Sequence, residues 1–171
     1  MKITAYHGTD AKFNRFDFDK IGSVNGTDSG FGFYFTTSKG EAVMYGNNVM
    51  TVELNLKKKI SNKRVTLSVP VITKLLTNLK NLDYDYIENY DGNIRDAVSA
   101  LRDYNNSDTE IIGDLINSLT GGKAEIILKQ LSKLGYNYTT EDKRLIDDED
   151  AEHYVMFDDS DIRIKSRQSI G

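Results

Sequence analysis

Residues 30–36 read Gly30-Phe31-Gly32-Phe33-Tyr34-Phe35-Thr36. Two glycines alternate with aromatics and give way to a short β-prone run, Phe33–Thr36. Glycine lacks a Cβ, which permits a sharp turn and close approach of a ligand to the backbone. Strand alternation puts Phe33 and Phe35 on one face, suited to a core, and Tyr34 on the other. The run is not a phosphate cradle, because neither GxGxxG opening a helix nor GK[ST] follows it. A tight turn into a strand accounts for the phenylalanines and leaves Tyr34 to be explained.

Upstream, residues 10–32 are rich in Gly, Asp, Ser, Asn and Phe and read as an irregular loop. Before them, Ile3, Ala5 and Tyr6 form a short strand ending at His7-Gly8, with Thr9 next. Downstream, Ala42 and Tyr45 fall on a short helix. Two tyrosines near a glycine turn can sandwich a flat ring whose polar edge finds hydrogen bonds. Val49–Leu56 then alternates, with Met50, Val52, Leu54 and Leu56 on one face and Thr51, Glu53 and Asn55 on the other. That pattern is a half-buried strand.

From residue 67 the period changes. Pro70 suits a first helical turn, and Val71, Ile72, Leu75, Leu76, Leu79 and Leu82 follow at 3.6-residue spacing. Ile94, Val98 and Leu101 mark a second helix. Ser107 and Glu110 make a capping box for a third, which Gly121-Gly122 ends. Ala124, Ile127, Leu128, Leu131 and Leu134 make a fourth, closed by Gly135. Strands return at Tyr136–Tyr138, at His153–Phe157 and at Ile162–Lys165, the last two separated by the turn Asp158-Asp159-Ser160. Residues 139–152 read as a polar, acidic loop.

The order strands, helices, strands predicts one α+β domain over residues 1–171 with both chain ends in the sheet. Its parts are 1–66, a helical segment 67–135 inserted at the sheet edge, and closing strands over 136–171. The 171 residues include no cysteine, so thiolate chemistry and disulfides are excluded. No EF-hand spacing or HExxH appears, so no metal is expected. No apolar run approaches the roughly 20 residues needed to span a bilayer, and a cytoplasmic protein is the expectation. The net charge of −4 hides a stretch, Glu141–Asp161, with ten acids against two basic residues. Lys57, Lys58, Lys59, Lys63 and Arg64 form a short basic cluster, read as a solvated strand end and turn and too small to argue for nucleic acid.

Taken in order, these elements resemble the ADP-ribosyltransferase superfamily, on its His–Tyr–Glu side with diphtheria toxin and the poly(ADP-ribose) polymerases. The resemblance is strongest to the small domains of phages and phage polyvalent proteins. It rests on a strand plus His7-Gly8-Thr9 and on the Phe/Asp-rich stretch Phe13-Asn14-Arg15-Phe16-Asp17-Phe18-Asp19. Gly30–Thr36, Ala42 with Tyr45, Leu134-Gly135-Tyr136, His153–Phe157 and Asp161-Ile162-Arg163-Ile164 complete it. It covers residues 3–56 and 134–165 and implies a split antiparallel β-sheet core with NAD as substrate.

The resemblance also implies roles. His7 would hydrogen-bond the ribose near adenine, Gly8 would present its N–H and C=O to the nicotinamide amide, and Thr9 would share that pocket. Tyr34 and Tyr45 would stack on the nicotinamide, with Ala42 where a hydroxylated residue is common. The family's catalytic glutamate opens the strand that His153 opens here. Three readings stand: a bulge that turns Glu152 inward, an acid from Asp147–Asp150, or His153 itself as the working residue. If position 153 is catalytic, glutamate there is expected to raise nicotinamide release. The implied function is NAD-dependent mono-ADP-ribosylation of a macromolecule, as a phage effector against a bacterial host. The acidic loop favours a protein acceptor over nucleic acid. The alternatives are an NAD glycohydrolase and a catalytically inactive binding protein on this fold.

Overall fold

A computed structural model describes residues 1–18, 31–79, 85–141 and 150–170. Among the described residues seven strands form one sheet: β1 (Lys2–Thr9), β2 (Phe33–Thr36), β3 (Asn48–Asn55), β4 (Lys58–Lys59), β5 (Tyr136–Thr140), β6 (His153–Met156) and β7 (Ile162–Ser169), in the order β4-β5-β6-β2-β1-β3-β7. All neighbours are antiparallel except β4 and β5, which run parallel. The sheet is therefore mixed, and the departure comes from the basic cluster. Lys58 and Lys59 form an edge strand on β5, where a turn was expected. The Lys58 ammonium lies over the Tyr136 ring and Lys57 pairs with Asp161, so these charges serve the fold.

The sheet is split at its middle. β1 and β3 pair along their whole length, from Lys2↔Asn55 to Thr9↔Asn48. β1 and β2 share one pair, Tyr6↔Thr36. Beyond it the two half-sheets, β1-β3-β7 on one side and β2-β6-β5-β4 on the other, part company.

Each face of the sheet follows from strand alternation. One face carries Ala5, Met50, Val52, Leu54, Phe33, Phe35, Tyr154 and Met156, and Phe16 closes over them as one core. The other carries Tyr6, Gly8, Thr36, Tyr34, His153 and Val155, as the registers require. Phe33 and Phe35 thus share a face opposite Tyr34, as their sequence alternation demands. Gly32 sits at the turn into β2, where a Cβ would lie 2.6 Å from the carbonyl oxygen of Met156. The close approach this glycine allows is to β6, within the fold. Gly30 lies outside the described residues.

The helices are α1 (Lys39–Ala42, followed by a 3-10 turn Val43–Tyr45), α2 (Val69–Thr77), α3 (Asp85–Glu88), α4 (Ile94–Tyr104), α5 (Asp108–Leu119) and α6 (Ala124–Lys133). α2, α4, α5 and α6 turn their apolar stripes onto a second core that includes Ile72, Leu75, Val98, Ile111, Leu115, Ile127 and Leu131. Ile60 and Phe157 join that core and tie it to the sheet beside β5. Pro70 lies in the first turn of α2, whose N-cap Ser68 accepts from Val71 N. Leu82 falls outside the described residues.

One connection was invisible in the apolar pattern. Asp108, fully buried at the start of α5, accepts from the backbone N–H groups of Ser61 (3.2 Å), Thr66 (2.7 Å) and Leu67 (3.0 Å), and from the Thr66 hydroxyl. A carboxylate can be buried when every lone pair is used in this way. It fastens the segment between β4 and α2 to the helical core. Ser107 caps α5 by accepting from Glu110 N, while the Glu110 carboxylate reaches Asn106 N, so the capping box closes one residue early.

Candidate active site

The parting of β1 and β2 leaves a polar edge open. Residues of one antiparallel strand point their N–H and C=O alternately to either neighbour. Met1 exchanges both backbone bonds with Leu56 on the β3 side. By alternation Ile3, Ala5, His7 and Thr9 also face β3, and Tyr6 and Gly8 face β2. On β2, Thr37 N bonds Glu152 O toward β6, so Thr36 and Tyr34 face β1. Gly8 therefore points its N–H and C=O at Tyr34, where no ladder pair follows Tyr6↔Thr36 among the described residues.

His7 takes part in keeping that edge open. Its Nδ1 donates to the Tyr34 carbonyl oxygen at 2.8 Å, in place of a backbone donor from β1. The carbonyl accepts only, so Nδ1 carries the proton and Nε2 is the acceptor in the neutral ring. The imidazole packs among Phe13, Phe16 and Phe35, with centroids 6.1, 5.1 and 5.6 Å away. Burial pushes its pKa below the ordinary value, and the Tyr34 bond opposes this only in part. The ring thus lies on the aromatic face, while Tyr34 and His153 lie on the other. Residues named together from sequence flank the opening from opposite sides.

α1 covers the face that carries Tyr34. Ser38 caps it by accepting from Glu41 N at 3.1 Å. A Cβ at residue 8 would lie 1.7 Å from the Ala42 carbonyl oxygen. The helix is seated directly on the β1 backbone, which only a glycine permits. Tyr45 follows in the 3-10 turn with 48% of its surface exposed, beside the exposed Val43 and Met44. Thr9, at the end of β1, uses its hydroxyl to accept from Ala11 N.

His153 is held by two carboxylates. Its Nε2 donates to Glu41 Oε1 at 2.7 Å and its Nδ1 donates to Glu141 Oε2. Glu41 Oε2 in turn accepts from the Thr36 hydroxyl at 2.8 Å. Burial opposes a charge on the imidazole, but the Glu141 and Glu41 bonds outweigh it and raise its pKa. With a carboxylate oxygen against each nitrogen, the ring is placed to donate twice, which favours the imidazolium over a neutral acceptor. Glu141 lies directly across from His153, since its N–H donates to the His153 carbonyl at 3.1 Å. Glu141, His153, Thr36 and Tyr6 therefore form one row across four strands, and Tyr34 stands in the adjacent row.

Two of the sequence alternatives meet a different geometry. The β2–β6 register runs unbroken from Phe33↔Met156 to Thr36↔His153, so no bulge turns Glu152 inward. Glu152 accepts instead from the Tyr154 hydroxyl, whose side belongs to the aromatic face. Of Asp147–Asp150, only Asp150 lies within the described residues, where it is exposed. Sequence reasoning missed Glu41 and Glu141. Glu41 precedes Ala42 and reads as a solvated helix position, and Glu141 reads as one acid among ten.

Among the described residues no group of three or more His, Cys, Asp and Glu could hold a metal ion, and no helix is long and apolar enough to cross a membrane. Around His153 the two carboxylates meet opposite edges of one ring and do not converge on a point.

A glycine edge, two tyrosines and a buried carboxylate–imidazole cluster thus meet where the sheet splits. Comparison with solved structures finds the crystal structure of an anti-CRISPR protein, 13% identical, covering 96% of each chain with a TM-score of 0.38. No curated protein matches the sequence. A family model, ADP-ribosyltransferase in polyvalent proteins, matches residues 1–168, which takes in both half-sheets, the helical segment and every residue of the site. On that match the chain belongs to the ADP-ribosyltransferase family of polyvalent proteins.

Proposed function

We propose that this domain transfers ADP-ribose from NAD to a protein acceptor. The observation that carries the reading is the open Gly8 edge facing Tyr34 where the β1–β2 ladder stops. A planar carboxamide offers one donor and one acceptor side by side, and an extended residue offers the complementary pair. Nicotinamide bound there lies between the α1–Tyr45 segment and the Tyr34 strand, and stacking on tyrosine holds its ring. His7, with Nε2 as acceptor, lines the opposite side and suits a ribose hydroxyl.

The reaction breaks the bond between C1′ of the ribose and the nicotinamide nitrogen. The bonding pair leaves with neutral nicotinamide, and positive charge develops at C1′. The acceptor's nucleophile then bonds to C1′ and releases its proton. Carboxylate charge near the ribose stabilises the cationic stage, and preorganised charge of this kind is among the largest catalytic contributions. The carboxylates around His153 weaken the reading of a dead fold, whose best support was the missing glutamate at position 153. Acidic residues at the end of β5 and the start of β6 favour a cationic protein acceptor over a phosphate backbone.

Nicotinamide release from NAD by the purified chain, with and without bacterial lysate, tests this. Release that rises with lysate, with labelled ADP-ribose recovered on protein, is the expected result. Release unaffected by lysate, with free ADP-ribose as product, makes the chain a glycohydrolase. NAD binding without release under either condition makes it a binding protein.

A further inference from the structure

We propose that Glu141 is the catalytic carboxylate of this domain, and that His153 is a positioning residue that holds it through Nδ1. The inference rests on the reading of the site as an NAD-binding one and names the residue that serves its reaction.

Among the described residues three acids lie within reach of position 153: Glu41, Glu141 and Glu152. Glu152 lies on the wrong face and is engaged by Tyr154. Glu41 is 4% exposed, and both of its oxygens are taken, Oε1 by His153 and Oε2 by Thr36. Glu141 differs on each count. Its side chain is 14% exposed, and among the described residues only Oε2 is engaged. Its backbone is fixed by a bond to the His153 carbonyl. One carboxylate oxygen is thus anchored, and the other, which no described residue engages, is assigned to a ribose hydroxyl.

The cluster also answers a question of charge. An imidazolium alone at this position would repel a developing cation. Flanked by two carboxylates, the trio carries a net charge of −1, with Glu141 at its more open end. Glu41 neutralises His153 from behind, and its own charge is settled by the Thr36 hydroxyl. In the step itself Glu141 accepts a hydrogen bond from a ribose hydroxyl and faces C1′ with negative charge as the C1′–N bond breaks. No proton need reach His153.

The test uses the full chain and NAD. Glu141→Gln is expected to lower the rate of nicotinamide release by about 100-fold or more, the scale of a lost preorganised charge. NAD affinity by calorimetry is expected within about threefold of the wild type, which also reports that the variant is folded. Glu152→Gln is expected to leave the rate within about twofold. His153→Gln is expected to lower kcat more than it raises KM and to remove the fall in rate expected when His153 loses its proton at alkaline pH, which a purely structural role would not remove. Full activity in Glu141→Gln overturns the proposal, as does a collapse confined to Glu152→Gln. A wild-type chain that does not bind NAD fails at an earlier point and overturns the reading of the site itself.

Discussion

The backbone of Gly8 and the carbonyl of Ala42 are in such close contact that a Cβ on residue 8 would fall 1.7 Å from the Ala42 oxygen. Both atoms belong to backbone, so neither can swing aside as a side chain would. Gly8→Ala must therefore lift α1 from β1. Overpacking of this kind costs about 1–3 kcal/mol. The lifted helix carries Ala42 and Glu41, and through Glu41 it disturbs His153. Thermal melting should show a folded but weakened protein, and calorimetry should show NAD affinity reduced by at least tenfold. An unshifted melting temperature with unchanged affinity would mean that α1 is not seated as described.

The same contact shows what a sequence can and cannot disclose. Alternation in Phe33–Thr36 and Val49–Leu56, and the 3.6-residue stripes of α2, α4, α5 and α6, were legible because burial imposes a period on apolar residues. The short β4 was not, since an edge strand of two lysines carries no period. Gly8 was legible as a special residue, but its partner, the Ala42 carbonyl, is backbone and leaves no trace in residue type. Glu41, Asp108 and Glu141 went unread for another reason. A buried or half-buried carboxylate has the letter of a solvated one, and only its partners, up to 112 positions away, distinguish it. The His–Gly strand end and the Gly-x-Gly-x-Tyr-Phe-Thr run carried the family. The face on which His7 lies needed the register.

Tyr34 lies on the face opposite His7, and the proposed reading has it stack on nicotinamide. Stacking of a flat heterocycle on an aromatic side chain is worth about 1–3 kcal/mol by alanine substitution. Tyr34→Ala should therefore weaken NAD binding by about tenfold or more, while Tyr34→Phe, which keeps the ring, should stay near the wild type. Tyr34 sits in β2 with its carbonyl bonded to His7 and survives either change as backbone. Equal affinities for the alanine and phenylalanine variants would remove the stacking role.

A glutamate at position 153, attractive from family resemblance, is expected to harm this protein. Three carboxylates would then meet: the new one, Glu41 and Glu141. Breaking a buried ion pair by removing one partner typically costs about 3–5 kcal/mol, and here the substitution adds a like charge as well. His153→Glu should lower the melting temperature and reduce nicotinamide release. Adding Glu41→Gln to it should recover part of the stability. A rise in release from His153→Glu alone would contradict the clamped imidazolium.

The same clamp has a pH signature with a definite sign. His153 has a raised pKa in the folded protein, because the two carboxylate bonds outweigh the burial that opposes charge. The folded state thus holds this proton more tightly than the unfolded chain. Its contribution to stability is fully present below the ordinary histidine value of 6.5 and is lost as pH rises through the raised value. His7, with a lowered pKa, acts in the opposite sense and weakens the fold as pH falls below that ordinary value. Melting temperatures of wild type and His153→Gln should differ most on the acid side and converge at alkaline pH. A constant difference would mean that His153 is neutral throughout.

Asp108 should be among the most sensitive positions for stability and neutral for chemistry. Each of its carboxylate oxygens accepts two hydrogen bonds: Oδ1 from Thr66 N and Leu67 N, Oδ2 from Ser61 N and the Thr66 hydroxyl. Asp108→Ala leaves three backbone N–H groups without that partner. An unsatisfied buried polar group costs about 1–3 kcal/mol, so a loss of at least about 3 kcal/mol is expected in denaturant melts. Asp108→Asn should be nearly as damaging. It keeps one acceptor oxygen and turns an amide donor toward groups that are themselves donors. This residue ties the β4–α2 segment to α5, away from the split in the sheet. Below the melting transition, nicotinamide release per folded molecule should therefore match the wild type. A selective loss of activity without a loss of stability would place Asp108 in the chemistry and overturn its role as a clamp.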